Sequence, residues 1–255
     1  MSKFFDMFRH PLTRDLDIDA PESTLRRRTI LKKKALLNKI YREWYSLIVS
    51  DLRNPELQIL EIGSGAGFLD DHLPNLITSE VFPLEGVNRV EDATNLSFQE
   101  ESLDAIVMTD VFHHIPDVSK FLSEALRTLR PGGQLVMIEP WNTPWSRFFY
   151  TNFHPEPFEP TVLSWQLPKG GPLSGANGAL PWIVFDRDRV LFEDSNHELH
   201  LKSVVPLMPV AYIAAGGIST ALGLPGFLYK PIRFLERFVL QEKGAMFALI
   251  SIEKI

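Results

Sequence analysis

Two sets of residues in this sequence have the types and spacing for chemistry. Gly63, Gly65 and Gly67 alternate with Ser64 and Ala66 directly after the apolar run LQILEI. Glycines at such a point remove the side chains that keep a ligand from backbone N–H groups at the carboxyl edge of a sheet. The pattern is G-x-G-x-G, and position 68 is Phe where a dinucleotide fingerprint, G-x-G-x-x-G, requires glycine. A purely structural turn would read the same way. His113 and His114 follow a third apolar run, and His154 lies in an aromatic stretch further on. Each imidazole is a candidate general base, and each is equally compatible with a packed histidine. Spacing places no third ligand beside His113 and His114, so no metal site is expected.

The elements around these residues must deliver them to one edge. LQILEIGSGAGF reads as a buried strand entering a glycine turn and a short helix stopped by Pro74. NLITSEVFP and LDAIVMTD read as further strands, separated by the loop EDATNLSFQEES. Asp117 is placed to cap a helix with apolar Phe121, Leu122, Ala125 and Leu129, and Pro131-Gly132-Gly133 turns the chain into the strand QLVMIEP. Strands alternating with helices at this interval mean βαβ units and a parallel sheet. Upstream, Leu37, Tyr41, Trp44 and Ile48 recur at helical spacing within a single helix expected from an N-cap at Ser23 to Asp51. Its Tyr41, Trp44 and Tyr45 form either a packing stripe or a lid. HLKSVVPLM and AMFALISIEKI read as the last strands.

Composition narrows the function classes. The 255 residues include no cysteine, which excludes disulfides, thiolate metal sites and a cysteine nucleophile. The net charge of −6 conceals an asymmetry: residues 1–50 carry +5, residues 51–140 carry −11 and the remainder is neutral. A central block that acidic repels phosphates and argues against a nucleic-acid partner, while it tolerates a cationic small ligand. The basic excess sits in RRRTILKKKALLNK, which is either a solvated helix face or an anchor for anionic lipid. Charges in MSKFFDMFRHPLTRDLD interrupt any apolar run a signal peptide would need, so the expectation is a cytoplasmic protein, with contact at the inner membrane surface as an extension.

Taken in order, LEIGSGAGF, the acid Glu80 ending the next strand, EDATNLSF, LDAIVMTDVFHHIPD and LRTLRPGGQLVMIEP resemble the class I S-adenosylmethionine-dependent methyltransferases. The likeness is to the broad bacterial small-molecule branch called type 11. It implies a doubly wound, mostly parallel seven-stranded Rossmann-like α/β sheet with one antiparallel strand. It also implies S-adenosyl-L-methionine as cofactor. On that likeness Gly63, Ser64, Gly65 and Gly67 cradle the methionine end, preceded by Glu61. Glu80 accepts from the ribose hydroxyls, a task suited to an acceptor-only carboxylate. Asp92 takes the adenine amino group with Ala93 beside the ring, and Asp110 lies near the sulfonium.

Four segments follow: a leader and basic helical lid over 1–54, a cofactor-binding core over 55–140, a substrate-pocket insertion over 141–202, and an apolar segment, amphipathic helix and final strand over 203–255. The insertion holds eight aromatics between Trp141 and Trp165. Trp141, Trp145 and Phe149 are expected in an acceptor pocket with Tyr41 and Tyr45. From Ser203 to Tyr229 no residue is charged, and KPIRFLERFVLQEK follows. That pairing suits a lipidic acceptor and peripheral membrane contact, with Lys230, Arg233 and Arg237 facing headgroups, and equally an ordinary buried strand with loops. A non-catalytic cofactor-binding module and a nicotinamide-dependent oxidoreductase stand as alternatives to a small-molecule methyltransferase.

Overall fold

A computed structural model describes residues 9–54, 56–239 and 242–255. The first eight residues of the expected leader lie outside the described residues. Seven strands, β1 (Ile59–Glu61), β2 (Leu76–Glu80), β3 (Arg89–Val90), β4 (Leu103–Thr109), β5 (Leu129–Pro140), β6 (Leu199–Leu207) and β7 (Phe247–Lys254), form one sheet in the order β3-β2-β1-β4-β5-β7-β6. β1 pairs in parallel with β2 and β4, β2 with β3, and β4 with β5; β7 runs antiparallel to both β5 and β6. This is the doubly wound arrangement expected. Every residue of β1 is buried, as a strand covered on both faces requires.

The strand order reverses between β1 and β4, which run parallel, so their carboxyl ends flank a crevice at the switch point of the sheet. Glu61, Thr109 and Pro140 end their strands on this edge. β3 was not anticipated from sequence. It has only two residues, both exposed, and an edge strand of that length leaves no periodic signal.

Helix α1 (Pro21–Lys33) and helix α2 (Ala35–Asp51) replace the single helix expected from Ser23 to Asp51. The break is Lys34, whose backbone is extended and whose Nζ donates to the carbonyls of Gly217, Thr220 and Leu222 at 2.7, 3.2 and 2.6 Å. No Gly or Pro marks the break, so the local sequence hides it. Ser23 is not the cap: Pro21 occupies the first helical position, where its missing N–H costs nothing, and the Ser23 hydroxyl donates to the Asp17 carbonyl. α2 buries Leu37, Ile40, Trp44, Tyr45 and Ile48 to zero exposure, each aliphatic side chain contributing about 1.5–3 kcal/mol.

Asp117 caps helix α3 (Val118–Thr128), its Oδ1 accepting from Lys120 N at 3.2 Å. The stretch after β5, where the sequence places an insertion over 141–202, opens with a helix, α4 (Pro144–Phe153). Thr143 and Ser146 form a reciprocal capping box and Pro144 pre-sets the first turn. Helix α5 (Leu180–Trp182), a π-helical turn (Ile183–Arg187) and helix α6 (Arg189–Ser195) lead into β6, and α7 (Ala211–Ala215) and α8 (Tyr229–Val239) precede β7. Among the described residues no helix is long and apolar enough to cross a membrane.

The Thr143 hydroxyl both accepts from Ser146 N at 3.1 Å and donates to the Ala245 carbonyl at 3.0 Å. Thr143→Ala should therefore destabilise the protein by about 1–2 kcal/mol, while Thr143→Ser should restore most of the loss. Chemical denaturation of the two variants measures both.

Candidate functional site

The crevice holds a cavity of about 700 Å³. Its floor is the glycine turn. Gly63 has φ +66°, and a Cβ there would lie 2.7 Å from Val111 Cγ2; Gly65 has φ +42°, and a Cβ would come within 3.1 Å of Glu80 Oε1. A side chain at either position is strained by the backbone conformation, and at Gly63 it also collides with Val111. Ser64 ties the turn to β2, its N–H donating to the Ser79 carbonyl and its hydroxyl accepting from Ser79 N at 3.1 Å.

Glu61, Gly63, Ser64, Gly65, Gly67 and Glu80 all line this cavity, and so do Asp92, Ala93, Asp110 and His114. Tyr41 and Tyr45 of α2 line it from above. Tyr45 is held there by an edge contact to Phe68 and by Phe68 N, which donates to its hydroxyl at 3.3 Å. Burial pushes the Glu61 carboxyl up to about 7. Burial also raises Glu80, against the pull of its hydrogen bonds and of Arg28. Asp92 Oδ1 closes a turn by accepting from Thr94 N and Oγ1 at 2.8 Å each.

Asp110 stands at the junction. It has φ +63°, an uncommon conformation for a residue with a side chain, and lines the main cavity and two smaller ones beside it. Burial raises its carboxyl to about 7, with Glu156 and Glu139 adding to the rise and His113 opposing it. The turn after it is clamped by Glu139, which is wholly buried: Oε1 accepts from Val111 N and Phe112 N at 2.7 and 2.8 Å, and Oε2 from His113 Nδ1 at 2.7 Å.

His113 is 1% exposed and lies behind the cavity wall. Burial alone would lower it, but Glu139 and Glu156 together hold it well above the ordinary imidazole value. His114 faces the cavity, and burial with the neighbouring His113 lowers it to about 4, so it is neutral near pH 7. Burial would raise Glu156, yet His154, His113 and His114 hold it far below the usual carboxylate range.

His154 and Phe149 line an adjoining cavity of about 250 Å³ with Phe153, Tyr212 and Ile213. Asp110, Glu156, Ile218 and Ser219 line both spaces. Trp141 and Trp145, expected as pocket residues, line none of the three cavities. Trp141 is buried in the core beside β7, its N–H donating to the Met246 carbonyl, and Trp145 Nε1 donates to the Pro209 carbonyl at 2.7 Å. The Trp141 bond is made by its backbone, and the Trp145 ring ties α4 to the segment just after β6.

Sequence reasoning missed Glu139, Glu156 and the loop over residues 167–173, although it expected a helical lid within 1–54. Glu139 had a signal: it is an acid inside a run that is otherwise buried. Glu156 had none, because an irregular segment has no period to place it by. Over the cavity, Thr24 and Arg27 of α1 meet the loop Leu167–Leu173. Asp19 Oδ1 joins the two, accepting from Leu173 N and Ser174 N at 2.7 and 2.8 Å, and Arg28 donates to the Gly65 carbonyl at 2.8 Å.

Residues 60–137 match the family model described as a methyltransferase domain. Over that stretch the chain is similar to a methyltransferase domain. Over 87 residues, which are 34% of this chain and 27% of the relative, it is 34% identical to the 2-methyl-6-phytyl-1,4-hydroquinone methyltransferase of Synechocystis sp.. Over 45 residues, 18% of this chain and 17% of the relative, it is 47% identical to phthiotriol/phenolphthiotriol dimycocerosates methyltransferase 1 of Mycobacterium ulcerans. The matches thus span well under half the length of these curated relatives. Around the matched stretch the whole fold is similar to geranyl diphosphate C-methyltransferase from Streptomyces coelicolor A3(2), solved with Mg²⁺, geranyl diphosphate and S-adenosyl-L-homocysteine. The TM-score is 0.54 at 13% identity, covering 97% of this chain and 92% of that one. A geranyl diphosphate methyltransferase in complex with SAM gives 0.55 at 14% identity, over 94% and 93%. At such identity the likeness speaks to the fold.

Glu61 supplies a pH test of the site. Its folded value is raised above that of an unfolded glutamate, so the native state keeps a proton the unfolded state gives up. The stability this contributes is full below pH 4 and is lost as pH rises through about 7. Glu61→Gln should flatten the fall in stability between pH 5 and pH 8, read by urea denaturation at both values.

Proposed function

We propose that the protein transfers the methyl group of S-adenosyl-L-methionine to a small-molecule acceptor with an apolar portion. One observation carries this reading. A single cavity joins a glycine turn and carboxylates Glu61, Glu80 and Asp92 at one end to Asp110, His114 and Glu156 at the other, and from there opens into an apolar annex. In this reading Gly63, Ser64 and Gly65 hold the methionine end and Glu80 the ribose, with Asp92 and Ala93 at the adenine and Asp110 beside the sulfonium. Buried carboxylates suit a cationic cofactor, because its positive charge repays what their ionisation costs. Displacement is in line: the acceptor atom forms its bond to the methyl carbon as the carbon–sulfur bond breaks and the pair stays on sulfur. Alignment and exclusion of water supply most of the acceleration. The N-terminal helix and the Leu167–Leu173 loop are placed to exclude that water. His114 is neutral near pH 7, which leaves a ring-nitrogen lone pair available at the cavity.

The annex favours an acceptor with an apolar chain. Phe149, Phe153, Tyr212 and Ile213 line it, and the names of the curated relatives contain a phytyl group and a dimycocerosate. Outside it, Phe227, Phe234, Leu235 and Phe238 are 75, 61, 60 and 71% exposed on and just before α8. That set supports peripheral contact with a membrane surface, with Lys230 and the basic α1 face adding attraction to anionic lipid. Arg233, expected to face headgroups, does not belong to the set. It is paired with Glu43 and Glu236 and fastens α8 to α2.

Two measurements test these readings. Calorimetry should show S-adenosylmethionine binding and no NAD binding, with Glu80→Ala weakening the cofactor at least tenfold, about 1.4 kcal/mol; NAD heat without adenosylmethionine heat overturns the assignment. In flotation, the protein should rise with anionic vesicles at low salt, and Phe234→Ser/Phe238→Ser should not. If the wild type remains at the bottom with anionic and neutral vesicles alike, a freely dissolved acceptor replaces the lipidic one.

A further inference from the structure

We propose that His113, His114 and Glu156 form a binding site for a divalent cation of the zinc type, with its open coordination position facing the cavity. One donor atom from each residue lies within 4.8 Å of the others. The residues come from the turn after β4 and from the segment after α4, so no spacing in the sequence announces them.

Three observations point to a ligand. First, His113 Nε2 is buried and makes no hydrogen bond of normal geometry, its ion-pair contact with Glu156 Oε2 being stretched to 3.5 Å. A buried polar atom left in that condition needs a partner. The separation itself is informative, since donors held about 2.0–2.1 Å from a tetrahedral zinc sit about 3.3 Å apart. Second, both imidazoles are already oriented for coordination through Nε2. His113 Nδ1 donates to the Glu139 carboxylate at 2.7 Å, and His114 Nδ1 donates to the Gly175 carbonyl at 3.0 Å. A carboxylate or backbone carbonyl on the far ring nitrogen is the usual support of a metal-bound histidine, fixing the tautomer and raising ligand basicity. Third, the segment that carries Glu156 is fastened to the same turn. Asn177 donates its N–H to the His113 carbonyl, and its Oδ1 accepts from Glu159 N at 2.9 Å.

Two nitrogens and one carboxylate select zinc, cobalt or iron rather than magnesium, which prefers oxygen alone. Three protein ligands leave a fourth position, the hallmark of a catalytic rather than structural site. His114 and Glu156 border the main cavity, so that position is open to an acceptor oxygen. Asp110, Glu139 and Glu156 offset the added charge. The use of the site rests on the methyl-transfer reading: a phenolic or alcoholic hydroxyl coordinates the cation and releases its proton to solvent. The oxygen then bonds the methyl carbon as the carbon–sulfur bond breaks, leaving a methyl ether and a thioether. Binding of the cation does not rest on that reading.

The test uses the full chain freed of metal by a chelator. Titration with Co²⁺ should produce a visible absorption band that saturates at one equivalent and is bleached by one equivalent of Zn²⁺. Calorimetry with Zn²⁺ should give the same stoichiometry. His114→Gln and Glu156→Gln should each weaken Zn²⁺ at least tenfold, while His200→Gln, an exposed imidazole, should leave it unchanged. The wild-type Co²⁺ band needs no variant and so stands if one fails to fold. Absence of a stoichiometric band, or equal Zn²⁺ binding in both site variants, overturns the proposal. Adenosylmethionine binding measured on the same chelated protein separates the two readings: cofactor binding without metal binding sinks the cation site alone, and metal binding without cofactor binding sinks methyl transfer alone.

Discussion

The Glu139 carboxylate is enclosed at the carboxyl end of β5, and each of the hydrogen bonds it accepts comes from the turn that follows β4. A carboxylate without water there would be costly, and the three donors meet that cost only if the backbone at Val111 and Phe112 turns back toward β5. That turn is what throws Asp110 into the left-handed region and sends its side chain to the junction of the cavities. It also buries His113 and turns His114 to the cavity, with their ring centroids 4.2 Å apart. The geometry of the reactive end of the cavity thus descends from a single buried acid on a neighbouring strand.

Around this clamp the molecule divides its tasks by depth. The sheet edge gives fixed backbone and carboxylates, and its parallel strands allow no freedom there. The insertion after β5 gives Glu156, His154 and the wall of the apolar annex, while Trp141 and Trp145 stay outside the cavities, the one in the core and the other bonded to the Pro209 carbonyl. Two carboxyls, Glu61 and Asp110, are raised toward neutrality by burial, while His114 and Glu156 in the same crevice are drawn downward. Such opposed shifts inside one crevice mark a site built around charge more than around shape.

The parts legible in the sequence were those with a period or a punctuating residue. β1, β2, β4, β5 and the two final strands are apolar runs with clear ends, and Asp117 announced α3. The glycine turn and its companion acids were legible through their order along the chain. The break at Lys34 was hidden because a lysine side chain captured by three distant carbonyls leaves no local mark. Pro21 outcompeted Ser23 because a proline at the first helical position needs no cap partner nearby. Glu156 was hidden for a different reason: its role comes from meeting two histidines across an irregular segment, and nothing in its neighbours encodes that meeting.

Lys34 also joins two parts of the molecule mechanically. It is the only residue separating α1 from α2, and its ammonium is moored to the loop that contains Gly217, Thr220 and Leu222. α1 roofs the glycine-turn side of the cavity, whereas that loop, through Ile218 and Ser219, walls the apolar annex. A pivot of α1 about Lys34 therefore pulls on the annex wall at the same moment as it uncovers the glycine turn. The covers of the two ends of the cavity are thus tied together through a single ammonium group.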